Sequence, residues 1–299
     1  MKTPAFRPEE PTTANRPGRL TTLRTALRLM RVEKSLCATF FAFLGAWLVA
    51  PPSALWSLPV LTAATSVGCI TAFGFVINDF CDLKVDSIGK AYRPLPAGHV
   101  STRAAERLAW SLAAAGLALG LVLGPLPGAI AGGAVALSVL YSYRLKNTLL
   151  LGNASVALLV AAVLVFGAVV AGGPTPPVWI AAAVTASYIV AQEALFTLED
   201  EAEDRAAGLT TTATLLGNER TARLVRALLM LFAAVALAPW LIGYAGAAYA
   251  AALTAVALAP TAVLWWWLRA PVQRYRVARA ARLSRLVWLT SFLPLALLK

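Results

Sequence analysis

Two short stretches hold most of the acidic residues of this chain. The first, NDFCDLKVD at residues 78–86, places Asp79, Asp82 and Asp86 three and then four residues apart. On a continuous helix these carboxylates share one face, and Asn78 lies on an adjacent part of it. Like charges at this spacing repel one another, so a cation is needed to offset them.

The second stretch, QEALFTLEDEAED at residues 192–204, repeats this pattern. Asp200 and Asp204 lie four residues apart on one helical face, and Glu193 precedes Asp200 by two turns on nearly the same face. Hard divalent cations take carboxylate and amide oxygens as ligands, and Mg²⁺ favours a few carboxylates together with substrate phosphate oxygens. Two such clusters that face each other predict a site for Mg²⁺ and a diphosphate.

Basic residues close to the two stretches are candidates to neutralise the diphosphate. They are Arg31, Lys84, Arg93 and Lys146. Glu193 falls inside a predicted membrane span, where an ionisable group is costly and usually functional, so it is a candidate base, as is Asp86. The alternative interpretation of the first stretch is a solvated helix end with Lys84 and Lys90 as counter-ions.

The composition indicates that the elements holding these residues are membrane helices. The chain has 299 residues, of which 59% are hydrophobic and 13% charged, whereas a soluble domain carries roughly 25% charged residues. The net charge of +12 does not indicate nucleic acid as a partner, because the basic residues alternate with apolar runs. Three cysteines and one histidine argue against a disulfide framework or a zinc site.

The apolar runs predict nine transmembrane helices, since a span needs about 20 apolar residues. The predicted spans are 35–50, 59–77, 104–123, 126–143, 149–171, 179–198, 222–242, 246–268 and 283–298.

The charge distribution predicts the orientation of these spans. Every lysine and arginine except Lys299 precedes the first span or lies in or beside alternate connections, and the remaining connections carry no charge. By the positive-inside rule this is a multi-pass protein of the cell membrane with a cytoplasmic N-terminus and an extracytoplasmic C-terminus. Both acidic stretches then lie at the cytoplasmic face. Residues 1–27 are predicted to be a disordered cytoplasmic tail, and residues 28–299 a single transmembrane domain.

Several motifs in this chain resemble those of the UbiA superfamily of intramembrane prenyltransferases. The resemblance covers about residues 28–298 and rests most on NDFCDLKVD followed by RPLPAG at residues 93–98. RVEKSL at 31–36, YSYRLK at 141–146 and EDEAEDRAAG at 199–208 are similar to further motifs in the same order.

This resemblance implies an all-α fold in which nine helices surround a central cavity with a cytoplasmic cap. It implies Mg²⁺-dependent transfer of a prenyl group from a prenyl diphosphate to a lipophilic acceptor, aromatic or other. The implied metal ligands are Asn78, Asp82, Asp86, Asp200 and Asp204. The implied diphosphate-binding residues are Arg31, Arg93 and Lys146, and Tyr141 opens the tyrosine–lysine motif beside the substrate.

The second motif departs from the family pattern, and this leaves the number of metal ions and the acceptor open. Thr197 stands where many members carry aspartate, and Glu203 stands where they carry glycine. One alternative is a terpene cyclase on the same scaffold, which would act on a prenyl diphosphate without a second substrate. A transporter is the other alternative. The basic stretch from Arg269 to Arg285 is predicted to lie against anionic membrane lipid.

Overall fold

The computed structural model describes residues 19–299, with side chains from residue 23, and this part of the chain is all-helical. The long helices are α2 (Val32–Trp47), α3 (Leu58–Cys81), α5 (Thr102–Val122), α6 (Pro125–Tyr143), α7 (Leu151–Ala171), α8 (Pro176–Glu199), α11 (Asn218–Leu241) and α14 (Arg274–Thr290). The shorter ones are α1 (Arg19–Leu29), α4 (Leu83–Gly89), α9 (Glu201–Ala206), α10 (Thr212–Leu216), α12 (Ala247–Leu253), α13 (Ala259–Trp267) and α15 (Phe292–Ala296).

Seven helical segments between residues 19 and 299 are long and apolar enough to cross a membrane. They are α3, α5, α6, α7, α8, α11 and the continuous run from α12 to α13. The predicted first span falls on α2, which has 16 residues, and the predicted last span falls on α14 and α15. The multi-pass helical architecture is confirmed, while the count of nine stays a prediction.

The predicted N-terminal tail differs in part from the structure. Its residues 1–18 lie outside the described part of the chain. From residue 19 onwards the chain forms α1 and does not remain irregular up to residue 27. Leu29 at the end of this helix is fully buried against α3.

Glycines allow the backbones of α2 and α7 to touch. A Cβ at Gly45 would collide with the carbonyl of Leu164, and a Cβ at Gly167 would collide with the carbonyl of Ala42. Small residues that permit such close approach are a common device of membrane helix pairs. The α2–α7 contact and the packing of α8 on α7 and α11 build the main apolar core.

The predicted span 246–268 is a helix with a π-helical turn at residues 254–258. Pro260 follows directly and has no N–H to donate to the carbonyl of Val256. The hydroxyl of Thr290 on α14 donates to that carbonyl instead, at 3.1 Å. The neighbouring helix therefore satisfies the backbone group that the proline leaves without a partner, which makes a proline tolerable within a span.

The helix ends that carry the acidic stretches lie on one side of the molecule, named the motif side below. Ion pairs join the end of α3 to the start of α2 and to the turn after α6. Another joins the end of α8 to α14. The start of α11 meets the segment after α13 through Glu219. This arrangement places the predicted site residues around one mouth of the helix bundle.

Candidate active site

Both acidic stretches take the same backbone course, and each contains a break at an aspartate. Helix α3 ends just before Asp82, which has φ −88° and ψ 3°, and α4 begins just after it. Helix α8 ends just before Asp200, with φ −91° and ψ 3°, and α9 follows. This bridge region of backbone space is sparsely occupied and often holds active-site residues. The expectation of one continuous helical face from Asp79 to Asp86 is corrected by the break at Asp82.

The two stretches meet through Lys90, which lies four residues beyond Asp86 at the end of α4. Its Nζ lies 2.9 Å from Oδ2 of Asp200 and 3.9 Å from Oε2 of Glu203. Next to it, a Cβ on Gly89 would approach Oε2 of Glu203 to 2.9 Å, so a larger residue would force these groups apart. Sequence patterns alone did not favour Lys90 over Lys84. Lys84 is exposed and forms no hydrogen bond or ion pair with the described residues.

Two arginines neutralise the buried carboxylates of the first stretch. Arg31 lies 2.5 Å from Oδ1 of Asp79, and Arg93 lies 3.3 Å from the same oxygen and 2.6 Å from Oδ2 of Asp86. Both carboxylate side chains are 4% exposed. Arg93 opens the RPLPAG segment, which turns back over α4 so that this guanidinium bridges the two aspartates.

Asp82 is held by an amide and an ammonium group. Asn78 Nδ2 donates to Oδ2 of Asp82 at 2.9 Å, and Lys146, from the turn after α6, binds Oδ1. The other amide oxygen, Oδ1 of Asn78, is buried and has no hydrogen-bond partner in the described part of the protein. A buried acceptor without a partner is costly, and this one points to a missing cation or donor.

Tyr141 and Glu193 lie deeper in the same mouth. Tyr141 is within electrostatic range of Glu193, Asp82, Arg31 and Asp204, so it lies near residues from both acidic stretches. Glu193 on α8 is partly buried and forms no hydrogen bond or ion pair among the described side chains. The charged groups that act on its carboxylate are Lys34, Asp200 and Arg285.

The far wall of the mouth contains Arg285 and Lys34, for which no role in the site was predicted. Arg285 on α14 lies 2.6 Å from Glu199 and covers the ring of Phe196 at 4.7 Å. Lys34 and Arg31 both lie over the ring of Phe75, at 5.7 and 4.9 Å. An (i, i+3) spacing on α2 could have suggested that these two cations share a face. The contact of these two cations with α3, and the contact of Arg285 on α14 with Glu199, are tertiary contacts that leave no local pattern in the sequence.

The electrostatics of the contact between the two stretches shift two groups outside the spans. Burial alone would lower the pKa of Lys90, but its hydrogen bond and ion pair with Asp200 outweigh burial and raise that pKa. Burial raises the pKa of Asp204 to about 6, and the neighbouring charge of Asp200 adds to this. Asp204 therefore changes its charge close to neutral pH.

The donor set fits a hard divalent cation, although the described residues form no group of three acidic, histidine or cysteine side chains ready to hold one. Three of the predicted ligands, Asp82, Asp86 and Asp200, are instead engaged by a lysine, an arginine or the amide of Asn78. The orphaned Oδ1 of Asn78 beside Asp82 supplies an oxygen that such a cation would satisfy. Carboxylate and amide oxygens are ligands that suit Mg²⁺.

The chain is similar to known proteins in family, sequence and fold. Residues 38–290 match the model of the UbiA prenyltransferase family. The digeranylgeranylglyceryl phosphate synthase of Methanoregula boonei is 35% identical over 243 residues, which cover 79% of this chain and 83% of that protein.

Two solved structures illustrate the likeness in fold. The apo UbiA homologue from Aeropyrum pernix K1 has a TM-score of 0.71 at 22% identity, with 87% of this chain and 96% of that chain covered. The UbiA homologue from Archaeoglobus fulgidus bound to GPP and Mg²⁺ has a TM-score of 0.69 at 20% identity, covering 91% and 99%.

Proposed function

This chain belongs to the UbiA prenyltransferase family, and from that premise we propose that it transfers a prenyl group from a prenyl diphosphate to a lipophilic acceptor within the membrane, with Mg²⁺ as cofactor. The observation that carries the proposal is the Lys90–Asp200 contact, which holds the end of α4, four residues beyond Asp86, against the second acidic stretch. A single diphosphate can then be served by both stretches. The UbiA homologue from Archaeoglobus fulgidus has GPP and Mg²⁺ bound, which supports a prenyl diphosphate and Mg²⁺ as the ligands proposed for this chain.

The residues proposed to hold Mg²⁺ are Asn78, Asp82, Asp86, Asp200 and Asp204. Negative charge that develops on the departing diphosphate would be neutralised in part by the bound metal. Arg31, Arg93 and Lys146 now neutralise carboxylates of the first stretch. We propose that metal binding to those carboxylates frees these cations for diphosphate oxygens. Removal of one of these cations is expected to lower the reaction rate by ~10²–10³, the cost of losing one good donor to the departing group.

Two predicted substrate-binding residues differ in how well the structure supports them. The charges of both stretches act on Tyr141, and we propose that its hydroxyl donates a hydrogen bond to a diphosphate oxygen. Lys84 is exposed, and we assign it only an attractive role for the incoming anion. Lys90, which touches the second stretch directly, is the better candidate for contact with the bound diphosphate.

The proposed reaction breaks the allylic carbon–oxygen bond and leaves its electron pair on the diphosphate. The acceptor supplies the electron pair of the new bond to that carbon and loses a proton. Glu193 has no hydrogen-bond or ion-pair partner among the described residues and is the proposed proton acceptor. A dry site protects the allylic cation from water.

The acceptor we favour carries an anionic head. Lys34 lies over Phe75 beside Arg31 and has no carboxylate partner in the described structure. The name of the relative from Methanoregula boonei describes a glyceryl phosphate that bears two geranylgeranyl chains. An acceptor with a phosphate and one chain would suit Lys34. The name of that relative describes a product in which geranylgeranyl chains are joined to a glyceryl phosphate. This favours prenyl transfer to an acceptor over the cyclase alternative.

We also propose that residues 28–299 act as one transmembrane domain whose motif side faces the cytoplasm. Lysines and arginines concentrate on that side, as the positive-inside rule expects. The N-terminus would then be cytoplasmic and the C-terminus extracytoplasmic. Prenyl diphosphates would enter from the cytoplasmic side, and their chains would extend into the bilayer.

A panel assay tests this function. Purified protein with Mg²⁺ receives geranyl, farnesyl or geranylgeranyl diphosphate together with geranylgeranylglyceryl phosphate or a phenolic acid. We expect released diphosphate and a product whose mass joins the two substrates. Lys34→Met should raise the KM for the phosphate-bearing acceptor and leave the KM for the phenol unchanged. A cyclised product without acceptor would establish the cyclase alternative, and the absence of diphosphate release with every pair would refute the proposal.

A further inference from the structure

A tryptophan between two arginines marks a second charged feature on the motif side, away from the acidic stretches. The ring of Trp265 on α13 is covered by the guanidinium of Arg226 from α11, whose Cζ lies 4.0 Å from the ring centroid. Arg269, just after α13, places its Cζ 4.8 Å from the same centroid. Arginine over tryptophan is the strongest common cation–π pairing, and it fixes two positive charges close together.

These two guanidinium groups lack a counter-charge. Within residues 19–299 neither forms an ion pair, and Nε of Arg226 is buried without a hydrogen-bond partner. Glu219, two turns before Arg226 on α11, accepts instead from the backbone N–H of Val272 at 2.8 Å. That bond ties the segment after α13 to the start of α11, so the two cations are held in place. A buried donor that lacks a partner favours an anion that completes it.

The surface beside these cations is apolar and faces outward. Met230 lies one turn beyond Arg226 on the same face of α11 and is 62% exposed. On α13, Trp266 is 55% exposed, and Ala262, one turn deeper than Trp265 on the same face, is also exposed. Tryptophan at this level marks the interface between headgroups and acyl chains. The cations therefore lie at headgroup depth, with apolar surface extending from them towards the middle of the membrane.

We propose that the groove between α11 and α13 binds an anionic phospholipid, with Arg226 and Arg269 on its phosphate and an acyl chain along Met230 and Ala262. A free phosphate ion would gain the charge interactions alone, whereas a phospholipid also covers the apolar side chains. Anionic lipids are concentrated in the cytoplasmic leaflet, which the motif side is predicted to face. The site is separate from the acidic stretches, and its existence does not depend on the proposed reaction.

Native mass spectrometry of the detergent-purified full chain tests the site, with dioctanoyl phosphatidylglycerol and dioctanoyl phosphatidylcholine as probes. We expect one phosphatidylglycerol to bind more tightly than phosphatidylcholine. The Arg226→Gln/Arg269→Gln variant should weaken phosphatidylglycerol roughly tenfold or more. The matched control is Arg103→Gln/Arg107→Gln, which removes the same charge from exposed positions at the motif-side end of α5 and should change the affinity less than about twofold.

Three outcomes would overturn the proposal. An equal loss in both double variants would mean diffuse attraction to the basic surface. Equal affinity for the two lipids would show that the headgroup charge is not recognised. Displacement of the lipid by inorganic phosphate at the same concentration would identify a site for free phosphate. Should the double variant not remain monodisperse, Trp265→Leu keeps both charges and should still weaken phosphatidylglycerol severalfold, and unchanged affinity there would also count against the site.

Discussion

Replacement of Arg93 by glutamine tests the charge balance of the first acidic stretch. Arg93 is 21% exposed and serves two carboxylates that are 4% exposed. Asp79 keeps Arg31 at 2.5 Å after the change, but Asp86 has no other cationic partner in the described chain. Breaking a buried pair from one side costs about 3–5 kcal/mol. We take the lower end, about 3 kcal/mol, because Arg93 is partly exposed.

The same contacts predict which variants cost less. Arg31→Gln leaves Asp79 with Arg93 at 3.3 Å. We therefore expect the free energy of unfolding to fall by about 1 kcal/mol, the size of one modest charged contact. Arg93→Gln combined with Asp86→Asn removes the uncompensated charge and should recover most of the lost stability. Replacing both partners of an ion pair by uncharged groups of similar shape changes the free energy of unfolding little.

Equilibrium unfolding in mixed micelles with an increasing fraction of SDS, followed by circular dichroism, measures these free energies. EDTA is present throughout, because a metal on Asp86 would mask the loss of Arg93. Arg107→Gln on the exposed face of α5 is the matched control and should cost less than about 0.5 kcal/mol. The reasoning fails if Arg93→Gln is no more destabilising than this control, or if the double variant is as unstable as the single one.

Three further predictions concern the acidic stretches. Asp82→Ala should lower turnover by ~10² or more without loss of the folded protein, whereas Glu201→Ala, which loses only an ion pair with an exposed arginine, should stay near wild type; comparable rates for the two would contradict the site. Because the pKa of Asp204 is raised to about 6, this carboxylate is protonated at lower pH, so the Mg²⁺ concentration for half-maximal diphosphate release should rise as the pH falls below about 6. A half-maximal concentration that stays constant down to pH about 5 would be inconsistent with this assignment. Gly89→Cys with Glu203→Cys, in a background without the native cysteines, should form a disulfide on mild oxidation, since a Cβ at 89 lies 3.2 Å from Cγ of Glu203; persistent free thiols would mean that the stretches do not touch.

Apolar runs predicted most of the fold because a bilayer constrains the length of its spans. The predicted span 126–143 agrees with α6 to one residue, and 149–171 agrees with α7 to two. The predicted end at residue 77 was too early, since α3 continues to Cys81. It does so because Arg31 and Arg93 neutralise Asp79 within the helix, and hydropathy alone does not contain that information.

The site was predicted at the level of clusters and less well at the level of contacts. Asp200 and Asp204 do not share an unbroken helix, because α8 ends at Glu199 and α9 begins at Glu201, but the structure does bring that stretch to the first one. The break at Asp82 was missed, because a period of 3.6 residues extrapolates a helix through a position that tertiary contacts with Lys146 hold in another conformation. Lys90 was assigned as a counter-ion of the first stretch only, since a cross-chain ion pair leaves no local pattern.

The π-helical turn before Pro260 illustrates the same limit. Proline in a predicted span signals a local disturbance, but its form depends on the hydroxyl of Thr290, which lies 30 residues further along the chain and bonds the freed carbonyl of Val256. Sequence reasoning identifies where the backbone needs a partner. Only the packing of α13 on α14 supplies one.

The central claim is that two acidic stretches serve one diphosphate, and a double-mutant cycle on ligand binding tests it most directly. Titration calorimetry with a non-reactive prenyl thiolodiphosphate and Mg²⁺ would compare wild type, Asp82→Asn, Asp200→Asn and the double variant. We predict losses that are not additive, with a coupling energy above about 1 kcal/mol, because both carboxylates act on the same bound ligand. Losses that add to within about 0.5 kcal/mol would show independent sites and contradict the claim.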